Sequence, residues 1–251
     1  MVDGRREWRL LLDGPRPAAA QMAFDERLIG LGVPTIRCFT WYPAAVSLGF
    51  KQPPPEWLTS SRWVAQGLEL VERPTGGGIA FHGSDVSLSV VVPRGCAVSL
   101  ERIMRTVCQS AVQVCRAFGA EATPLLDVQT DGRITYCLTQ HSPYAVLIGA
   151  RKIAGFAVRR YADAWLIQGS LLVRRLPGLL ARALPSDLLQ RIEREAMPLC
   201  PFGGTTEREV ARYWSERWSA WWEEGMMTQI LKNDYADTAG KHIRRSTVLS
   251  A

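Results

Sequence analysis

TYCLTQHSPYAVLIGARKIAGFAVRR, residues 135–160, places one cysteine, Cys137, a fixed distance ahead of one lysine, Lys152. Arg133 to Cys137, Tyr144 to Ile148 and Arg151 to Arg159 are short extended runs separated by turns, which is the pattern of neighbouring strands in one sheet. Cys137 and Lys152 both fall at strand ends in this reading, so the sheet can bring them together. Cysteine followed by lysine suggests covalent acyl chemistry. A free thiol titrates at about 8.5, so a nucleophilic cysteine needs a nearby cation to hold its thiolate, and Lys152 is a candidate for it.

Outward from this stretch, the chain alternates strands and helices without a regular repeat. Glu7 to Asp13 is a strand candidate. A helix from Pro17 to Leu31 follows, with Phe24, Leu28 and Leu31 on one face and Gly32 as its stop. Thr35 to Thr40 and Ala45 to Gly49 are extended, a short helix spans Glu56 to Gln66, and Leu68 to Arg73 is another strand. Ser87 to Val92 is apolar or small throughout. Ser99 caps a long helix to Phe118 that ends at Gly119, and Ala164 to Val173 closes the run of strands. The expected class is α+β, with mixed or antiparallel sheets covered by helices.

The last third is helical. Thr206 and Glu209 form a capping box, and Val210, Trp214, Trp218 and Trp221 trace an apolar stripe that belongs in a core. Residues 1–227 form one expected domain, and 228–251 a mobile tail in which periodicity is lost.

Composition narrows the classes. The chain has 251 residues, 47% hydrophobic, with a formal net charge of +6. Its apolar runs stop well short of the roughly 20 residues of a spanning helix, and MVDGRREWRL is no secretory signal, so a cytoplasmic protein without a membrane is expected. The basic residues are scattered and no nucleic-acid module is present, so no nucleic acid is expected. Six cysteines without a CxxC pair argue against disulfides or zinc. Cys108 and Cys115 lie on the apolar face of the long helix. Three scattered histidines, His82, His141 and His242, make no metal set, and without a GxSxG elbow serine-hydrolase chemistry has no support.

RPTGGGIAFHG, Arg73 to Gly83, is the second strong feature. Three consecutive glycines let backbone approach a ligand closely and aim N–H groups at a carbonyl, carboxylate or phosphate. It is neither a Walker A loop nor a dinucleotide fingerprint. Placed between strands and closed by His82, it is a candidate binding wall; a tight turn would use the same glycines.

With these two blocks in hand, the chain resembles the lipoate ligase, biotin ligase and octanoyltransferase superfamily. RPTGGGxxxH and GARKIAG carry the likeness. EWRLLLDG, QMAFDE and TIRCFTWYPAAVSLGFKQ follow in family order, from about Glu7 to Val173. CxxxxSxY, here Cys137, Ser142 and Tyr144, looks like the M-type octanoyltransferases. The resemblance implies the biotin/lipoate protein ligase catalytic-domain fold and an acyltransferase of lipoate biosynthesis. Cys137 would take octanoyl from octanoyl-acyl-carrier protein as a thioester and pass it to a lysine of an apo lipoyl domain, such as glycine-cleavage H protein, with no cofactor.

Lys152 would stabilise the thiolate. Arg73, Thr75, Gly76, Gly77, Gly78, His82, Ser142, Gly155, Gln168, Gly169 and Trp41 would bind substrate, and Trp41 and Ile79 are candidates for an apolar acyl slot. Two departures from the family stand out. Gln168 replaces the histidine of LQHGS, and Phe156 and Val158 replace a small polar residue and an amide. An ATP-dependent lipoate or octanoate ligase, with Lys152 against an acyl-adenylate, and a non-catalytic lipoyl-domain binder are the alternatives.

Overall fold

The computed structural model describes residues 8–59, 63, 66–96, 99–126, 128, 134–223 and 249–250. In chain order they form β1 (Arg9–Leu12), α1 (Ala18–Gly30), β2 (Thr35–Phe39), β3 (Ala45–Leu48), α2 (Glu56–Thr59), β4 (Glu69–Glu72), β5 (Ala80–His82), β6 (Asp85–Pro93), α3 (Leu100–Ala117) and β7 (Ala122–Leu125). A one-turn 3₁₀ helix (Cys137–Thr139), β8 (Ala145–Ile148), β9 (Arg151–Arg160), β10 (Ala164–Leu172), α4 (Gly178–Ala183), α5 (Ser186–Glu195), α6 (Glu207–Glu223) and β11 (Leu249–Ser250) complete them.

An eight-stranded sheet runs β11-β1-β2-β6-β10-β9-β8-β7, and a three-stranded sheet runs β4-β3-β5. The first is parallel across β11, β1 and β2 and antiparallel from β2 onward; the second pairs β3 parallel to β4 and antiparallel to β5. The α+β class with mixed sheets and helical cover is therefore the observed one.

β6 explains its own composition. All nine of its residues are buried, because β2 and β10 flank it in the sheet and both faces are covered. Val86, Leu88, Val90 and Val92 join the main core with α3 and α6. The alternate residues Ser87 and Ser89 face the other way, where small polar groups are used for hydrogen bonding. Cys108 and Cys115 are fully buried in that main core, and burial pushes both thiols up to about 12. They are packing residues.

Ser99 accepts from the Arg102 N–H at the start of α3. The capping box is present: Thr206 N–H donates to Glu209 (2.7 Å) and Glu209 N–H donates to Thr206 Oγ1 (3.3 Å). Trp214 is fully buried, and its indole N–H donates to Ser110 Oγ at 2.9 Å, joining α6 to α3. A second core lies beneath the small sheet and includes Val46, Leu58, Ile79, Phe81, Leu180 and Leu188.

The structure departs from expectation in three places. β5 and β7 are additional strands: the first has three residues and the second contains Pro124, so neither carries a clear alternation. Of the run expected to be extended from Arg133 through Cys137, Arg133 lies outside the described residues, Tyr136 makes one isolated bridge with Ile79, and Cys137 opens the 3₁₀ turn. Ile79 faces the second core and does not join a slot with Trp41. The expected boundary at 227 and His242 lie outside the described residues, while Leu249–Ser250 extend the large sheet beside β1.

Candidate active site

A cavity of about 310 Å³ opens between the two sheets, and Cys137 and Lys152 both line it. Two local devices put them there. The first is a β-bulge in β9: Lys152 pairs with Leu147 and Ala154 with Val146, so Ile153 is an extra residue. A bulge re-aims the side chains that follow it. Ile153 and Ala154 both enter the main core, and Lys152 is thereby turned onto the same face as Gly155. A Cβ placed on Gly155 would lie 2.8 Å from Lys152 Cε, 3.1 Å from its Nζ and 3.7 Å from Cys137 Sγ. Glycine at 155 leaves the room in which amine and thiol converge, within about 7 Å of each other.

The second device is the lacing of the glycine loop to the cysteine segment. Ile79 N–H donates to Thr135 O and Cys137 N–H donates to Ile79 O, both at 2.8 Å. A Cβ on Gly78 would meet Ile134 Cγ2 at 2.8 Å and the Thr135 carbonyl at 2.9 Å. The loop thus fixes the backbone of Cys137 as well as walling the cavity.

Lys152 is 1% exposed. Its ammonium donates to Gln140 O (2.9 Å) and Ser142 Oγ (3.1 Å) and has no carboxylate partner among the described residues. An ammonium carries three N–H donors, so one remains for the thiol or a substrate. Ser142, part of the CxxxxSxY pattern, therefore acts through Lys152.

Arg73 is a second buried cation without a carboxylate partner among the described residues. Its guanidinium donates to Ser47 O and Oγ (both 3.1 Å), to Gly76 O (2.8 Å) and to Gly78 O (2.7 Å). Burial lowers its pKa, and the charge of Cys137 opposes that shift. His82 stacks on Trp41, with ring centroids 4.0 Å apart, and bonds Ser47 Oγ and Asp85 Oδ2, each at 2.8 Å. Burial tends to raise the Asp85 pKa, but the charge and hydrogen bond of His82, with bonds from Ser170 and Gly83, take it below the ordinary value. Ser47 and Asp85 were not singled out in the sequence; only spacing to His82 hints at Asp85, and nothing signals Ser47.

Gly77, Gly78, Trp41, His82, Ser142, Gly155, Gln168 and Gly169 also line the cavity. Thr75 and Gly76 lie behind the wall: Thr75 Oγ1 is 2.7 Å from Gln168 Oε1, and Gly76 offers its carbonyl to Arg73. Gln168 Nε2 donates to the buried Asp25 at 2.7 Å, so the amide ties the loop to a buried group in which Arg37 bridges Asp13 and Asp25. Phe156 lines the cavity and meets Trp214 edge-on, its ring filling the place a Cβ on Gly169 would take. Met22, Phe39, Trp41, Leu88 and Met104 make the remaining wall mostly apolar. His141 is exposed, bonded to Ala150 O, and outside the cavity.

A thiol that shares a mostly apolar cavity with two buried cations can form and hold a thioester of a fatty acyl chain. The lipoyl protein ligase A/B catalytic domain model matches residues 17–194. The octanoyltransferase LipM of Symbiobacterium thermophilum is 32% identical over 219 residues, covering 82% of this chain and 74% of its own. That of Kyrpidia tusciae is 29% identical over 249 residues, covering 88% and 90%. Among solved structures, the bipartite lipoate protein ligase of Thermoplasma acidophilum, described with its E2 lipoyl domain, superposes with a TM-score of 0.63 at 20% identity, covering 97% of this chain and 88% of that one. At that identity the likeness concerns the fold.

Proposed function

The chain belongs to the lipoyl protein ligase A/B catalytic-domain family and is an acyltransferase, and from that premise we propose that it moves an octanoyl group from octanoyl-acyl-carrier protein to a lysine of an apo lipoyl domain, such as glycine-cleavage H protein, through a thioester on Cys137. The observation that carries this reading is the convergence of Cys137 Sγ and Lys152 Nζ over Gly155 in a mostly apolar cavity.

In the first step the Cys137 thiolate attacks the carrier thioester. A C–S bond forms to Cys137, the carrier C–S bond breaks, and the departing carrier thiolate takes a proton. The Lys152 ammonium stabilises the attacking thiolate by charge and by its remaining N–H. Backbone N–H groups of the Gly77–Gly78 wall are candidates to hold the developing oxyanion. In the second step the neutral ε-amine of the acceptor lysine attacks the Cys137 thioester. An amide forms, Cys137 leaves as thiolate, and the amine's surplus proton passes to solvent. Amide replaces thioester, so neither ATP nor a metal is required.

The test is transfer from octanoyl-carrier protein to an apo lipoyl domain without ATP. The parent should transfer and Cys137→Ser should not. Strict dependence on ATP with free octanoate as donor would instead establish a ligase.

A further inference from the structure

Ser47, His82 and Asp85 have the hydrogen-bond spacing of a serine-hydrolase triad, and Ser47 and His82 line the cavity that holds Cys137. Two facts exclude the serine as a second nucleophile. Ser47 is 0% exposed, and its hydroxyl oxygen already accepts from Arg73. We infer that Asp85, His82 and Ser47 form a positioning relay whose product is the fixed guanidinium of Arg73, held as a second cation for the Cys137 thiolate.

Donor and acceptor bookkeeping gives the relay a direction. The Asp85 carboxylate only accepts, so His82 Nδ1 carries the proton and donates to it. Arg73 only donates, so Ser47 Oγ accepts from it. With His82 neutral, the Ser47 hydrogen is free for His82 Nε2. Ser170 donates to the same Asp85 oxygen at 2.6 Å, and Gly83 N–H to the other at 3.0 Å. Every link is satisfied with His82 neutral; with both ring nitrogens protonated, Ser47 Oγ accepts from His82 and Arg73 together.

Arg73 ends the chain with four protein acceptors, three of them backbone carbonyls, and none carries a charge. Among the described residues, the charged or titratable groups lining the cavity beside Cys137 are Arg73, His82, Lys152 and Tyr144, with no carboxylate. Cys137 is also the charge that counters the burial of Arg73.

The proposal rests on Cys137 being the reacting thiol, but its test reads that thiol directly, whatever acyl group it carries. The rate of Cys137 alkylation by iodoacetamide is followed against pH by peptide mass spectrometry, which separates it from the other five cysteines. Ser47→Ala and Asp85→Asn each should slow alkylation at pH 7 by about three- to tenfold and move the midpoint up by about half to one pH unit. In an Arg73→Met background, adding Ser47→Ala should change nothing further. An unmoved midpoint in folded Ser47→Ala, or full additivity with Arg73→Met, overturns the relay. If Asp85→Asn does not fold, Ser47→Ala alone decides. Failure of octanoyl transfer with these shifts intact would count against the cargo and leave the relay standing.

Discussion

Replacing Lys152 with methionine removes a charge and keeps most of the volume. Nζ and Sγ both lie close to one point above Gly155, 3.1 and 3.7 Å away, and so are within about 7 Å of each other. At that distance an effective dielectric near 20 gives about 2 kcal/mol of attraction between ammonium and thiolate, about a thirty- to sixtyfold change in thiolate population. Lys152 has no carboxylate partner among the described residues, so its removal strands no opposite charge. Only Gln140 O and Ser142 Oγ lose a donor. Buried unpaired charge is costly, and Lys152→Met should therefore fold with unchanged or raised Tm. Acyl-enzyme formation from octanoyl-carrier protein, sampled by rapid quench and mass spectrometry, should fall by at least that factor, with Lys152→Arg retaining part of it. Acylation at the parental rate in Lys152→Met would refute the reasoning. So would a loss that merely tracks unfolding.

Gly155→Ala puts a methyl 2.8 Å from Lys152 Cε; the lysine must swing away, and acylation should drop at least tenfold while circular dichroism stays unchanged. Gly78→Ala meets backbone at Thr135 and should cost about 1–3 kcal/mol in denaturant unfolding, the range of overpacking, together with activity. Asp25→Asn leaves Arg37 still paired with Asp13 among the described residues, and unfolding should register about 1.5–3 kcal/mol of lost stability, the scale of a hydrogen bond to a charged group. Asp85 titrates below its unfolded value, so its contribution is full above about pH 4 and lost as pH falls through the lower, folded pKa; Asp85→Asn should remove that part of the acid-side stability loss.

Much of the fold was legible because its elements are marked locally. Ser99 at the start of α3, Thr206 with Glu209 before α6, and the run of apolar or small residues in β6 each signal an element without reference to the rest of the chain. The pairing of Cys137 with Lys152 was legible as proximity in sequence. What brings them together was not, because the bulge at Ile153 depends on register with β8, which spacing alone does not reveal. Cys137 opens a 3₁₀ turn, and its N–H bonds Ile79 O of the glycine loop, 58 positions earlier in the chain, a long-range pairing that local spacing does not reveal. Ser47 escaped notice for a similar reason. A serine in a four-residue strand carries no signal until Arg73 and His82 close around it. Gln168 and Phe156 stood out as departures from the family, and each now has a local partner that suits it: Asp25 and Thr75 for the amide, Gly169 and Trp214 for the ring.

The central claim is a covalent acyl group on one cysteine. Intact-mass spectrometry after mixing the protein with octanoyl-carrier protein, without ATP, tests it most directly. The account predicts a single octanoyl adduct, labile to hydroxylamine, that maps to Cys137 and is absent in Cys137→Ser. No adduct without ATP, or an adduct that persists in Cys137→Ser, would contradict it.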